Sequence, residues 1–173
     1  MRGRIVLAVA AVLFCACPRN EPALPIIEEG DGPIELLSSV NVADPRASSQ
    51  LLWGFHELEQ RAWRWTERRF AAVLQPPPPV EGHRTALTVT LSVPGVVIER
   101  LGPITATASI DGEAIGSVTY AEPGEGFVFS QEVPDGLLGD EPVEAAIELD
   151  KAIEPTDRDG RELGVIISSI ALQ

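Results

Sequence analysis

Aromatic rings and ionisable side chains crowd together in one short stretch of the chain. Residues 53–70 hold five of its nine aromatic residues. An exposed ring can stack on the apolar face of a sugar while neighbouring polar side chains hydrogen-bond the hydroxyls. The candidate ligand-binding residues of such a platform are Trp53, His56, Glu59 and Arg64. One interpretation of the stretch is therefore a carbohydrate-binding surface.

The other interpretation places the rings inside the fold. On a β-strand Trp63 and Trp65 point the same way, so the pair can fill the space between two sheets. Arg64 then faces the opposite side, where it can meet Glu59 across the strand pair. Trp53 is the ring expected to be exposed, because a strand irregularity is predicted next to it. The exposure of the three tryptophans decides between the two interpretations.

A helix and a pair of strands compete for this stretch. Apolar residues at three- and four-residue steps form an acceptable helical stripe, but Gly54 is a poor helix former and Arg69 interrupts the stripe. Read as strands, LLWGFHELE and WRWTERRFAAVLQ pair through a turn at residues 60–62 and end at the rigid PPPP of residues 76–79. The pattern favours the strand pair by a small margin.

Alternation of apolar and polar side chains dominates the rest of the folded part. In TALTVTLSV, residues 85–93, the apolar Leu and Val side chains recur at every second position, which is typical of a half-buried strand. Asp111-Gly112 is a hairpin turn signal between ITATASI and EAIGSVTY. Further strands are predicted over residues 126–133, 143–150 and 163–172. Short strands separated by frequent turns predict an all-β fold, an antiparallel β-sandwich of jelly-roll type.

GFHELE and AWRWT, followed about a hundred residues later by DGRELGVIISSIAL, resemble a recurrent bacterial β-sandwich module. This module has the pattern G-aromatic-aromatic-x-x-E, then R-W, then D-x-R-x-L-G-V, and occurs alone or in proteins concerned with surface polysaccharides. The matching positions are Gly54, Phe55, Glu59, Arg64, Trp65, Asp159, Arg161, Leu163 and Gly164. The resemblance spans roughly residues 51–172 and implies an exported, jelly-roll-like sandwich without established catalysis.

The N-terminus predicts export and an anchor. Arg2 and Arg4 precede ten apolar residues, 5–14, a run too short to span a bilayer as a mature helix. Cys17 at the end of this signal is the candidate lipidation site, and plain secretion is the alternative. The proline-rich residues 18–33 are typical of a flexible tether. The predicted organisation is a signal peptide at 1–17, the tether at 18–33 and one β-sandwich domain at 34–173.

Charge and cysteine content exclude several classes of function. Cleavage before Cys17 would leave 11 basic and 26 acidic residues, a formal charge of −15, so nucleic acid is excluded as a partner. At most one cysteine would remain, which excludes an internal disulfide and a zinc site built on thiolates. The membrane is then reached through the lipid anchor alone, at the extracytoplasmic side of the cell envelope.

The sequence does not match the catalytic and metal-binding patterns that its residues suggest. Glu57 and Glu59 lie two apart on one strand, so they cannot flank a glycosidic bond from opposite sides, and glycan hydrolysis is disfavoured. No serine-hydrolase, zinc-protease or phosphate-loop motif occurs in the chain. PTDRDGRE mimics part of a calcium loop in the wrong register and is better explained as a turn with a carboxylate partner for Arg161. We expect no catalytic residue, no metal and no cofactor.

Together these features predict a non-catalytic lipoprotein of the cell envelope. Its β-sandwich is expected to bind a carbohydrate. The alternative is a structural or protein-interaction scaffold that contacts another envelope protein and has no small-molecule ligand.

Overall fold

The structure, a computed structural model, describes residues 36–173. The predicted signal peptide, the tether and Cys17 lie outside the described residues, so export and lipidation stay predictions. Within residues 36–173, no helix combines the length and apolar character needed to cross a membrane.

The described part consists of nine β-strands and two short helices. The strands are β1 Ser39–Asn41, β2 Leu51–Glu59, β3 Trp63–Leu74, β4 Ala86–Val93, β5 Ile104–Ile110, β6 Glu113–Tyr120, β7 Gly124–Glu132, β8 Val143–Leu149 and β9 Ile166–Leu172. A 3₁₀ helix, Pro45–Gln50, precedes β2, and one α-helix, α1 at Gly95–Leu101, connects β4 to β5. The predicted strands match these bounds closely, and the Asp111-Gly112 turn joins β5 to β6.

Every strand pairing is antiparallel, and the strand order is β6-β5-β8-β3-β9-β4-β7, with β1 added beside β9 and β2 beside β3. The predicted all-β antiparallel class is therefore confirmed. The long strand β3 joins the two halves of the sheet, since residues 69–74 pair with β8 and residues 64–65 pair with β9.

The two end strands of this order, β6 and β7, meet through side chains. The rings of Tyr120 and Phe127 lie with their centroids 5.2 Å apart. The side chain of Gln131 occupies the space that a side chain at Gly116 would need. The sheet is therefore nearly closed on itself.

The core is built from the alternation visible in the sequence. The Leu and Val side chains of β4 are buried, while the intervening alanine, threonine and serine residues are half-buried. The same alternation runs through β5 and β8. Phe70 of β3 and Phe129 of β7 are the largest fully buried side chains of this core. Burial of apolar area at alternate positions is what fixes which face of each strand points inward.

The aromatic stretch is a pair of strands, as the sequence favoured, and its pairing is irregular. The register of β2 on β3 shifts at three points along its length. Gly54 has φ +79°, and a Cβ at that position would lie 1.9 Å from the carbonyl oxygen of Arg69. Only glycine permits both this backbone conformation and this close approach. The predicted irregularity beside Trp53 is therefore present.

Helix α1 is a feature that the sequence analysis missed. GVVIERL is only seven residues long, so its single buried side chain, Val97, gives no recognisable helical periodicity. Its C-terminal end is held from outside, because the ammonium group of Lys151 donates hydrogen bonds to the carbonyl oxygens of Leu101 and Pro103. These contacts join the C-terminal end of α1 to the segment that follows β8.

Candidate functional site

The residues of the sequence pattern come together where β2 and β3 meet the segment before β9. Arg161 forms a two-point bond with Asp159, with Nε to Oδ1 and Nη2 to Oδ2 both 2.9 Å. Its Nη1 also donates to Oε1 of Glu59 at 2.9 Å. We call these three side chains the Arg161 cluster. The expected carboxylate partner of Arg161 is therefore present, with Glu59 as a second.

The Arg161 cluster holds charges at a partly exposed site. Hydrogen bonds from Arg161 lower the pKa of Asp159 from its ordinary value of 3.8 to about 2. The same bonds, from Asp159 first and Glu59 second, raise the pKa of Arg161 further above its ordinary value. Each of the three side chains is a little over one third exposed, so solvent weakens the attraction.

The expected pair between Glu59 and Arg64 is wrong. The irregular register places Arg64 opposite Leu58, and Glu59 turns instead to Arg161. Arg64 donates to two backbone carbonyl oxygens, that of His56 at 2.9 Å and that of Val42 at 3.2 Å. Its guanidinium therefore ties β2 to the segment after β1.

His56 is likewise used within the protein. Its Nε2 lies 2.6 Å from the carbonyl oxygen of Glu162, to which it donates. The Glu162 carboxylate accepts from the backbone N–H of Arg68 at 2.8 Å. Three of the four predicted ligand-binding side chains, those of His56, Glu59 and Arg64, thus join chain segments to one another.

Trp53, the fourth predicted residue, is 38 % exposed, as expected. The guanidinium carbon of Arg69 lies 5.8 Å from the centroid of its ring, a cation–π contact that occupies one ring face. Trp53 and Arg64 both border a shallow groove of about 200 Å³. Of the predicted residues, this groove brings together only these two, and each already has a protein partner.

The other two tryptophans, Trp63 and Trp65, lie in different surroundings. Trp65 is half-buried and packs against the hydrophobic core, as one interpretation of the sequence required. Trp63, at the start of β3, is also half-buried but lines a cleft of about 450 Å³. The cleft is lined by Gln60, Trp63, Ser92, Val93, Pro94, Gly95, Gly124, Glu125 and Ile166. These residues come from the β2–β3 turn and from the adjoining ends of β3, β4, α1, β7 and β9.

Three of the residues that line the cleft with Trp63 carry polar side chains, Gln60, Ser92 and Glu125. The hydroxyl of Ser92 accepts from the backbone N–H of Gly126 at 3.3 Å, which leaves its own proton free to be donated. Across residues 36–173, the side chains of Gln60 and Glu125 take part in no hydrogen bond or ion pair to another residue. An amide, a hydroxyl and a carboxylate are thus available to a ligand.

The turn that carries Gln60 into the cleft has an unusual backbone. Gln60 has φ 51° and Arg61 has φ 59°, so two consecutive non-glycine residues are left-handed. A hairpin turn of this kind favours asparagine and glycine, and other residues raise its free energy. Such strained positions are often found at functional sites. The strained backbone of this turn is therefore a second observation, separate from the lining residues, that indicates a functional role for the cleft.

The lining of the cleft offers groups for stacking and hydrogen bonding. Glu125 is its one ionisable residue, and Ser92 supplies a hydroxyl. Among residues 36–173, no group of three histidine, cysteine or carboxylate side chains is placed to hold a metal ion. An aromatic ring beside hydrogen-bonding side chains can stack on a sugar and bind its hydroxyls.

The sequence analysis considered Trp63 as a core ring together with Trp65, and its candidate ligand-binding residues included neither Trp63 nor the other residues of the cleft. Gln60, Ser92 and Glu125 come from three separate segments, and the pairing of the neighbouring strands β3, β9, β4 and β7 brings them together. One signal was present in the sequence: the turn uses Gln60-Arg61 where Asn-Gly would relieve the strain.

No protein-family model matches the chain, and no curated protein matches it. A solved structure with a similar arrangement is an acetyl xylan esterase (Est2A) from the rumen bacterium Butyrivibrio proteoclasticus, with a TM-score of 0.45 and 8% sequence identity. The aligned part covers 80% of this chain and 32% of that one, so the chain spans about a third of the esterase's length. A likeness at this level identifies neither a family nor an activity.

Proposed function

We propose that this chain is a non-catalytic lipoprotein of the cell envelope that binds carbohydrate in the cleft beside Trp63. The proposal keeps the class of ligand expected from the sequence and moves its site. Trp53, His56, Glu59 and Arg64 are already engaged by protein groups, whereas the polar side chains of the cleft retain hydrogen-bonding capacity. A ligand at the earlier site would have to displace those contacts at a cost in stability.

The observation that carries the proposal is the lining of the cleft. The half-buried Trp63 shares the lining of one cavity with residues that carry an amide, a hydroxyl and a carboxylate, and the volume of this cavity is within the range of about 300–1,000 Å³ usual for small ligands. Stacking needs the ring face, and orientation needs a few polar groups around it. The left-handed turn at Gln60 supports the same site, because Gln60 is one of the residues that line the cleft.

The test compares two tryptophan variants on a glycan array. Trp63→Ala is expected to lose glycan binding, and Trp53→Ala, the matched control, is expected to retain it. Melting temperatures of both variants show whether the fold survives the substitution. If Trp63→Ala unfolds the domain, Gln60→Ala replaces it, because the Gln60 side chain is exposed and its loss costs little stability. Unchanged binding by a folded variant of the cleft, or a wild type without any glycan ligand, would overturn the proposal.

A protein-interaction scaffold is the second candidate function. The observation that favours it is the exposure of two consecutive apolar residues on β2, Leu52 at 45% and Trp53 at 38%. Exposed apolar side chains of this size are common at protein interfaces when they adjoin one another. Leu52→Asp should then abolish a site-specific cross-link from β2 to an envelope protein, while Val128→Asp on β7 should preserve it.

A further inference from the structure

The charge of the cleft limits which sugars it can take. Glu125 contributes the only charged side chain of its lining. A second carboxylate lies close by, since Oε1 of Glu99 is 3.9 Å from the position of a Cβ built on Gly95, a lining residue. Across residues 36–173, neither Glu125 nor Glu99 has a cationic partner. Arg61 follows Gln60 in the chain but does not line the cleft.

Several carboxylates elsewhere in the described fold do have cations beside them. Asp44 pairs with Arg46 at 2.7 Å, and Glu132 pairs with Arg84 at 3.0 Å. Arg161 pairs with two more acidic side chains, those of Glu59 and Asp159. Glu125 and Glu99 are not compensated in this way, and their charges are part of the formal net charge of −13 of the whole chain.

This charge acts differently on three classes of sugar. An acidic sugar such as a uronate would bring a second negative charge to Glu125, with no cation in the lining to offset it. A neutral sugar can use the ring and the hydrogen-bonding groups but gains nothing from the charge. A sugar with a free amine carries a positive charge that both the Glu125 carboxylate and the face of the Trp63 ring attract.

We propose that the cleft selects glycans whose sugars carry an unsubstituted amine, with Glu125 binding the ammonium group and Trp63 stacking on the ring. This inference rests on the proposed carbohydrate site and adds its specificity. Glu125 is then the residue that determines specificity, and Trp63 provides the affinity shared by all sugars.

The test uses isothermal titration calorimetry with two trimers of equal length, one of glucosamine and one of N-acetylglucosamine, at a mildly acidic pH where the free amines are protonated. The wild type is expected to bind the amine form at least about tenfold more tightly. Glu125→Gln should remove most of this preference and keep the affinity for the acetylated trimer. Glu113→Gln is the matched control. Glu113 is an exposed carboxylate at the start of β6, and it does not line the cleft. Trp63→Ala should weaken the binding of both trimers.

The outcomes separate the two proposals. Equal affinity for the two trimers, lost in Trp63→Ala, would overturn the amine selectivity and leave the carbohydrate site standing. Absence of binding to either trimer by folded wild type would overturn the amine selectivity, whereas the glycan array decides whether the site binds any sugar. Spermidine, a cation without a sugar ring, is the charge control. Binding of spermidine as tight as that of the amine trimer would mean attraction by charge alone and would also overturn the proposal.

Discussion

At the scale of single residues, the pattern that linked the start of β2 to the end of the chain is explained by packing and hydrogen bonding. Gly54 and Gly164 permit close approaches to β3, and Asp159, Arg161 and Glu59 form one cluster of charges. The bond between Asp159 and Arg161 could be predicted because the two lie two residues apart in a turn. The bond to Glu59 could not, since it joins residues 102 positions apart.

The first prediction concerns the acid stability of the Arg161 cluster. Because the pKa of Asp159 is lowered in the folded state, its contribution to stability is present above its ordinary value of 3.8 and is lost as the pH falls through about 2. The melting temperature of the wild type should therefore fall as the pH drops through that window, and this fall should be less steep in Asp159→Asn. The effect should be small, since the cluster is exposed to solvent.

Asp157→Asn is the control for that measurement. Asp157 is an exposed carboxylate of the same segment, and it pairs with no cation within residues 36–173. An acid limb that is equally steep in wild type and Asp159→Asn would show that the cluster does not contribute to acid stability.

The second prediction concerns Tyr120, whose hydroxyl is buried without a hydrogen-bond partner among residues 36–173. Burial also raises the pKa of this hydroxyl, because the charged form loses its water. A buried hydroxyl without a partner costs about 1–3 kcal/mol. Tyr120→Phe keeps the ring against Phe127 and removes that cost, so the free energy of unfolding should rise by about 1 kcal/mol.

Urea denaturation of wild type and Tyr120→Phe measures this gain. Tyr120→Leu is the control that also removes the ring contact, and it should be less stable than wild type. A phenylalanine variant less stable than wild type would mean that the hydroxyl is bonded in solution, and the prediction would be wrong.

At the scale of elements, the local sequence pattern predicted the strands, whereas the order in which they pair depends on long-range contacts. Two-residue alternation identified β4, β5 and β8 because each buries one face, and Asp111-Gly112 marked its hairpin. The division of β3 between β8 and β9 has no local signal, since it depends on which edges are free after the sheet forms. Helix α1 was missed because seven residues contain too few periods to recognise.

The third prediction tests the irregular pairing of β2 with β3. A Cβ at Gly54 would meet both an unfavourable φ of +79° and the carbonyl oxygen of Arg69 at 1.9 Å. Gly54→Ala should therefore destabilise the domain by more than about 2 kcal/mol, because the strand must move away from β3. Chemical denaturation followed by tryptophan fluorescence measures the change.

Gly112→Ala is the matched control for this substitution. Gly112 has a similar φ of +83°, but nothing lies within 4 Å of a Cβ built there. Gly112→Ala should lower the free energy of unfolding only by the cost of the unfavourable backbone conformation, about 1 kcal/mol. Equal losses in the two variants would show that the close approach to Arg69 contributes nothing to the stability of the pairing.

At the scale of the whole molecule, the order of the strands forms the cleft, and the net charge bears on what the domain can bind. The neighbouring strands β9, β4 and β7 end beside Trp63 of β3 and so form a cleft that no single segment of sequence encodes. The net charge of −13 was readable from composition, and it disfavours binding to nucleic acid or to anionic headgroups. Attachment to a membrane would therefore depend on the proposed lipid and not on the surface of the domain.

The fourth prediction follows from that dependence. If Cys17 carries the lipid, Cys17→Ser should lose its acyl label and pass entirely into the soluble fraction of a bacterial host, because an acidic domain has no other affinity for the membrane. Cys15→Ser is the matched control and should keep both the label and the membrane fractionation. Metabolic labelling with a fatty acid, followed by fractionation of the three proteins, measures both properties. A wild type without label would contradict the lipid anchor. A Cys17→Ser protein that lost its label but stayed with the membrane would show that the domain itself or an uncleaved apolar run at residues 5–14 binds there.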